Sequence, residues 1–407
     1  MEFIREQIKE KPLSKRKIVA KVVTAALCGI VFAIVVLIVL YLFMPEIPGG
    51  ADTENTEVET ETNHVDSTEN TEAGIVIPPD LSLSISDYQT LQNELYGIGN
   101  AVNKSIVTIA TVSDENNDWA ENPFETEGQS SGFIVAEDDY YLYILTEKKV
   151  IAEAAHIRVS FVDNTGAEAK LFKYDGNTGI AILTVEKRLL NSGTKSTISV
   201  AKLGNSYGLE NGSIVIALGS PLGTNYSIST GNITSVQNEI ATQDKNYSVF
   251  TTDIVASENA SGVLANTRGE IIGVVMQSFS GSQDMSTLTA VEIDEMKAII
   301  NILQNGKEVP YIGLYISTVT EDISKDYDLP IGVFIKDVAS ESPAMYAGLQ
   351  SGDIIIKVNG EKVSTDEMFS DKVSQLIPGT TCEITVKRQN GDNYYDAICE
   401  VEIGVLK

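Results

Sequence analysis

The residues able to do covalent chemistry are few. Ser261 lies in the turn Glu258-Asn259-Ala260-Ser261-Gly262, between the apolar runs "TTDIVA" and "GVLA". A serine hydroxyl is a weak nucleophile until a base takes its proton, and that base is most often histidine. Only two histidines occur, His64 and His156. His64 sits among Thr, Glu and Asn as a bystander, and His156 starts a β-rich run, where a structural role is the simpler one. A lysine base is the other route. Lys149 would need its pKa lowered toward 7 by burial and its amine within about 3 Å of the hydroxyl. Lys148 lies beside it in a polar stretch, which favours a solvated surface lysine instead. Three cysteines, Cys28, Cys382 and Cys399, provide neither a dense disulfide framework nor a Cys/His cluster with metal-ligand spacing. No metal and no cofactor is expected. The formal net charge of -28 argues against nucleic acid as a partner, since phosphates need clustered Lys and Arg. It is that of a solvated, self-repelling surface.

These residues must be positioned by the elements around them. Residues 1–21 hold seven Lys/Arg against three Glu and form a basic tail. Residues 22–44, VVTAALCGIVFAIVVLIVLYLFM, are uncharged. As a helix they reach across the roughly 30 Å hydrocarbon core of a bilayer with some tilt. The basic flank puts the N-terminus in the cytoplasm and the bulk of the chain outside the cell membrane, as a single-pass anchor. A cleaved signal peptide is the competing reading, but its apolar region is usually only about 7–15 residues long. Residues 45–86, rich in Thr, Glu and Asn, bury too little to offset their ordering entropy and read as a flexible linker.

From Leu91 the chain becomes short β-rich runs: SIVTIATV, SGFIVA, YLYILT, IRVSFV, IAILTV, GSIVIAL, GNITSV and GEIIGVVM. Gly, Asn and Asp between them suggest an all-β barrel or sandwich. The stretch IDEMKAIINILQNG has helical spacing and an Asn305-Gly306 stop. After Pro310 a second β-rich unit begins, with one helix expected at TDEMFSDKVSQLI. Near its end, "TTCEITVKRQ" and "DNYYDAICEVEI" flank Asn390-Gly391, a strong two-residue hairpin signal. A turn there pairs Gln389 with Asp392 and sets Cys382 opposite Cys399, close enough for a disulfide closing about 18 residues. Two adjacent buried thiols are the alternative.

Seven stretches in order resemble the HtrA/DegP-type serine proteases. "SSGFIVA" is similar to the family's Gly-Ser-Gly-Phe-Ile strand, and "ILTEKKVIAEAAHIRVSF" to its Ile-Leu-Thr-Asn-Asn-His-Val-Val segment. "YDGNTGIAILTV" resembles Asp-x-x-x-Asp-Ile-Ala-Val-Leu. "LGNSYGLENGSIVIALGSPLGTNYSISTGNITS" follows the Leu-Gly-Asp-Ser … Gly-x-Pro-Leu-Gly … Thr-x-Gly-x-Val-Ser run almost without gaps. "LTAVEIDEMKAIINIL" fits the Phe-Ala-Ile-Pro-Ile segment and its helix. "YIGLYIS" and "GVFIKDVASESPAMYAGLQSGDIIIKVNGEKV" resemble a bacterial PDZ domain. The resemblance covers about 90–405. It implies a mainly β architecture: a chymotrypsin-like double β-barrel at 87–306, then a PDZ domain at 308–405.

On that alignment the family's catalytic histidine falls on Lys149, its aspartate on Gly179 and its serine on Ala260. The oxyanion-hole glycine becomes Glu258. All three triad positions are then lost, and Ser261, one residue along, is the remaining candidate nucleophile, with Lys149 as its base. In the PDZ domain, Tyr311, Ile312, Gly313 and Leu314 occupy the loop whose N–H groups take a peptide's C-terminal carboxylate. Met368, Val373 and Leu376 would line the far wall of the groove, although the same helical face reads equally well as core. The family is often trimeric, which makes a homotrimer an expected assembly.

Three functions follow. The leading one is a membrane-anchored, extracytoplasmic pseudoprotease that binds peptide or protein C-termini, in envelope quality control or scaffolding. The second is an active serine endopeptidase using Ser261 and Lys149. The third is a structural envelope protein whose PDZ domain serves assembly.

Overall fold

The computed structural model describes residues 84–112, 129–152, 154–280, 286–391 and 393–407. The basic tail, the 22–44 span and nearly all of the acidic linker lie outside them. Among the described residues, no helix is long and apolar enough to cross a membrane.

The first element is helical. Helix α1 (Ile85–Val102) starts at a capping box: Ser84 Oγ accepts from the Asp87 N–H, and the Ser84 N–H donates to Asp87 Oδ2 at 2.8 Å. Its buried stripe is Leu95, Gly99 and Val102. Gly99 is needed there, since a Cβ would stand 2.8 Å from Ile228 Cγ2.

The β-rich runs then close into two six-stranded barrels. The first takes β1 (Ile106–Val112), β2 (Gln129–Glu137), β3 (Tyr141–Glu147), β4 (His156–Ser160), β5 (Gly166–Tyr174) and β6 (Ile180–Glu186), in the order β1-β2-β3-β6-β5-β4. A short helix, α2 (Ser192–Thr197), follows. The second takes β7 (Ile214–Ser220), β8 (Ser227–Ala241), β9 (Asn246–Val255), β10 (Ser261–Ala265), β11 (Ile271–Met276) and β12 (Thr287–Glu292), in the order β10-β11-β12-β9-β8-β7. Strands β10 and β11 are buried on both faces, hence their unbroken apolar runs. One core joins the barrels, with Phe133, Leu145 and Ile180 from the first packed with Ile216, Leu218 and Val263 from the second. Helix α3 (Ile293–Gln304) lays Met296, Ile299, Ile300 and Leu303 on the same core.

The last sheet runs β13-β14-β15-β17-β18, from β13 (Leu314–Val319), β14 (Gly332–Val338), β15 (Ile354–Val358), β17 (Thr381–Asn390) and β18 (Asn393–Glu402). Strand β16 (Glu361–Lys362) pairs with β15. Helices α4 (Glu321–Tyr327), α5 (Pro343–Tyr346) and α6 (Asp366–Ser374) complete the unit, and β13 is an edge strand.

The β17–β18 hairpin corrects the expected register. Asn390 pairs with Asn393, so Cys382 faces Val401 and Cys399 faces Ile384. The turn falls one residue later than Asn-Gly chemistry alone suggests, which offsets the two cysteines by two residues. Both thiols are free and buried, and burial pushes both of their pKa values up.

Candidate functional site

The junction between the barrels holds the residues that resembled catalytic ones. Ser261 opens β10 and is buried; its Oγ accepts from the Ser131 N–H on β2, in the other barrel, at 2.9 Å. Gly262 makes this approach possible. It pairs with Gly219 at φ +129°, and a Cβ there would lie 2.0 Å from the Leu218 carbonyl oxygen.

Lys149 lies in the single 3₁₀ turn after β3 (Lys148–Val150) and pairs with Glu147, Nζ to Oε2 at 2.7 Å. Its side chain is 50% exposed, and among the described residues it makes no hydrogen bond to Ser261. Burial raises the Glu147 pKa, and the Lys149 contact opposes that rise. Its second oxygen is buried with no hydrogen-bond partner among the described residues. Gly179 has no side chain to orient a base, but its carbonyl accepts from the Lys148 N–H.

Ala260 is fully buried, and its N–H donates to Ser257 O at 3.0 Å. Glu258 is exposed in that same turn. Ser131, Thr146, Glu147, Ser261 and Gly262 share a cavity of about 10 Å³. That is room for one water at most.

A second constellation lies at the start of β13. The N–H groups of Ile312, Gly313 and Leu314 all point at one carboxylate, that of Asp244 in the β8–β9 turn. Ile312 donates to Oδ2 at 2.7 Å, Leu314 to Oδ1 at 2.8 Å, and Gly313 to both oxygens at 2.9 Å. The Asp244 N–H in turn donates to Leu314 O at 2.6 Å. Gly313 holds the loop at φ +94°, where a Cβ would meet Ser342 Cβ at 2.4 Å.

Two family models match: a trypsin-like peptidase domain over residues 130–274 and a PDZ domain over residues 310–397. The chain has the HtrA/DegP arrangement. A probable periplasmic serine endoprotease, DegP-like, of Hahella chejuensis is 32% identical over 291 residues, covering 70% of this chain and 58% of that protein. The protein of the same description from Pseudomonas savastanoi pv. phaseolicola is 32% identical over 270 residues, covering 65% and 54%. The chain thus spans just over half the length of these relatives. Among solved structures, the HtrA-type protease AlgW with a tripeptide shares the fold at a TM-score of 0.52 and 22% identity, covering 76% of this chain and 97% of that one. A serine endoprotease from Yersinia pestis does so at 0.50 and 24%, covering 76% and 98%.

Of the positions the HtrA/DegP alignment named, Lys149 pairs with Glu147, which shares the small cavity with Ser261. Gly179 accepts from the Lys148 N–H, and Ala260 precedes Ser261 in the turn before β10. His156 lies apart, half exposed on β4, with Nδ1 3.7 Å from Glu168 Oε1. In the PDZ domain Val373 is buried core on α6, Met368 on the same helix is exposed, and Leu376 packs partly buried against the core. Tyr311 bridges to Gly404.

The residue that sequence reasoning missed is Asp244. It is 7% exposed, and burial pushes its carboxyl up to about 6, against the pull of the three N–H groups and with a further rise from Asp175. Nothing local marks it, because its partners lie 68–70 residues away.

Proposed function

We propose that this protein is an extracytoplasmic HtrA-type pseudoprotease, anchored through residues 22–44, that binds peptide or protein C-termini through its PDZ domain. One observation supports this loss of catalysis. Ala260, the residue that the alignment sets against the family's serine, has its N–H tied back to Ser257 O instead of free to hold an oxyanion. An oxyanion hole needs donors aimed at where charge develops, and a triad needs base and orienter together. Here those places hold Lys149, bound to Glu147, and Gly179. The peptide-binding part rests on the Tyr311–Leu314 loop and the β13 edge, which suit an added strand ending in a carboxylate. Met368, Val373 and Leu376 form the far wall in this reading.

The relatives' names favour a second reading, a serine endoprotease, for which Ser261 is the available hydroxyl. Labelling the purified protein with a fluorophosphonate probe, beside casein cleavage, separates the two. The pseudoprotease reading expects neither signal, and Ala260→Ser alone should restore neither, because a triad acts as a unit. Labelling that vanishes in Ser261→Ala establishes the endoprotease instead.

A further inference from the structure

The N–H groups of Ile312, Gly313 and Leu314 form an anion-binding nest, and Asp244 fills it. The likeness to a bound peptide end extends beyond the carboxylate. The Asp244 N–H pairs with Leu314 O on the edge strand, as the last residue of an added strand would. Asn246 Nδ2 reaches Ile316 O on β13 at 3.4 Å and Asp366 Oδ2 on α6 at 2.7 Å. Ser370 Oγ, also on α6, donates to Asp244 O at 2.7 Å. The β8–β9 turn is therefore gripped from both walls of the groove.

We propose that this turn is an internal ligand of the PDZ domain, with the Asp244 carboxylate in the place of a peptide C-terminus, and that external C-termini bind by displacing it. The inference rests on the peptide-binding reading above.

Two features make the plug displaceable. Asp244 is a buried anion, and among the described residues no Lys or Arg forms an ion pair with it; Lys245 beside it pairs with Glu295. Burying a carboxylate without a cation is unfavourable, and an incoming carboxylate that takes over the N–H groups meets the same cost while Asp244 returns to water. The exchange is therefore near balance and is decided by the other contacts a peptide brings. Asp244 also sits at φ +64°, in the left-handed region that few residues other than Gly, Asn and Asp adopt. Beside the plug lies a cavity of about 50 Å³ lined in part by Tyr247, Ile299, Ile302, Val309 and Val373. The short Asp244 side chain brings no apolar group to it. A peptide ending in Val, Leu or Phe supplies both the carboxylate and the apolar side chain.

The test uses the full chain and fluorescent decapeptide pools, randomised except for a last Val, Leu or Phe, as free acids and as amides. Binding is read by anisotropy, and protection of the Gly313 amide by hydrogen exchange. Asp244→Ala should tighten binding of the acid pool by at least ~10-fold, as removing a closed state does. It should leave the amide pool weak and expose the Gly313 amide in the absence of peptide. Ser370→Ala with Asn246→Ala, which loosens the clasp but keeps the carboxylate, should tighten binding by a smaller factor. Carboxylate-dependent binding of equal strength in all three proteins overturns the plug and leaves the peptide-binding reading standing. No preference for acid over amide in any of them overturns that reading, and the plug with it.

Discussion

Ser131 and Ser261 face each other across the barrel junction, the N–H of one donating to the hydroxyl oxygen of the other at 2.9 Å. This serine therefore serves as a buried acceptor. Ser261→Ala removes an acceptor of the buried Ser131 N–H, beside a cavity that holds one water at most. The expected loss is about 1–3 kcal/mol, read from a lowered urea midpoint. A variant as stable as the parent, whose only change is lost probe labelling, would show Ser261 to be catalytic.

In the PDZ domain, Arg388 on β17 holds Asp353 with both arms, Nε to Oδ1 at 2.7 Å and Nη2 to Oδ2 at 2.6 Å. Asp353 is almost fully buried, so Arg388→Met abandons a buried charge. Such losses run at about 3–5 kcal/mol. Denaturant unfolding followed by near-ultraviolet dichroism should show it, and a shift below about 1 kcal/mol would mean water reaches Asp353.

The Asp244 carboxyl, pushed up to about 6 by burial, should titrate near that value in carboxyl carbon NMR. Around it stand Asp175 between β5 and β6, Tyr247 on β9 and Tyr311 before β13, while Lys245 in its own turn pairs with Glu295 on α3. Asp175→Asn should lower the midpoint. Because the folded value exceeds the ordinary 3.8, the folded protein holds this proton more tightly than the unfolded chain. The stability it contributes is complete below about 4 and is lost as pH rises through about 6. Asp244→Asn should flatten that slope, and a midpoint at or below 4 would contradict the burial argument.

Mass analysis of the aerobically purified protein should find Cys382 and Cys399 both alkylated after unfolding without reductant, consistent with a hairpin that sets them two positions apart. An intact bond between them would require the register to slip.

Much of the architecture was legible because burial writes itself into pattern. The runs IAILTV and GEIIGVVM became the buried strands β6 and β11, and IDEMKAIINILQ became α3. Helix α1 escaped notice because its buried stripe is narrow and includes a glycine, although Ser84-x-x-Asp87 was a capping signal. The hairpin register failed because Asn-Gly preference ranks below the fit of the paired strands. At the candidate site, the alignment could set Lys149, Gly179 and Ala260 against the family's triad, with Ser261 next to it, from order along the chain. That the Ala260 N–H is tied to Ser257, and that Asp244 meets the Ile312–Leu314 loop, depends on distant segments meeting, which no local pattern encodes.

A plug carried on the same chain as its groove acts as a competitor that dilution cannot remove. A ligand held on the same folded chain is presented at an effective concentration on the order of millimolar or more. A free C-terminus at micromolar levels gains the groove only if its intrinsic affinity exceeds that of the β8–β9 turn by roughly a thousandfold or more, the ratio of the two concentrations. The tether thus sets a threshold on affinity, independent of how much of the protein is present. With the β8–β9 turn as the proposed plug, fragments that bind weakly would go unread, while a well-matched terminus would open the groove at any abundance of its receptor.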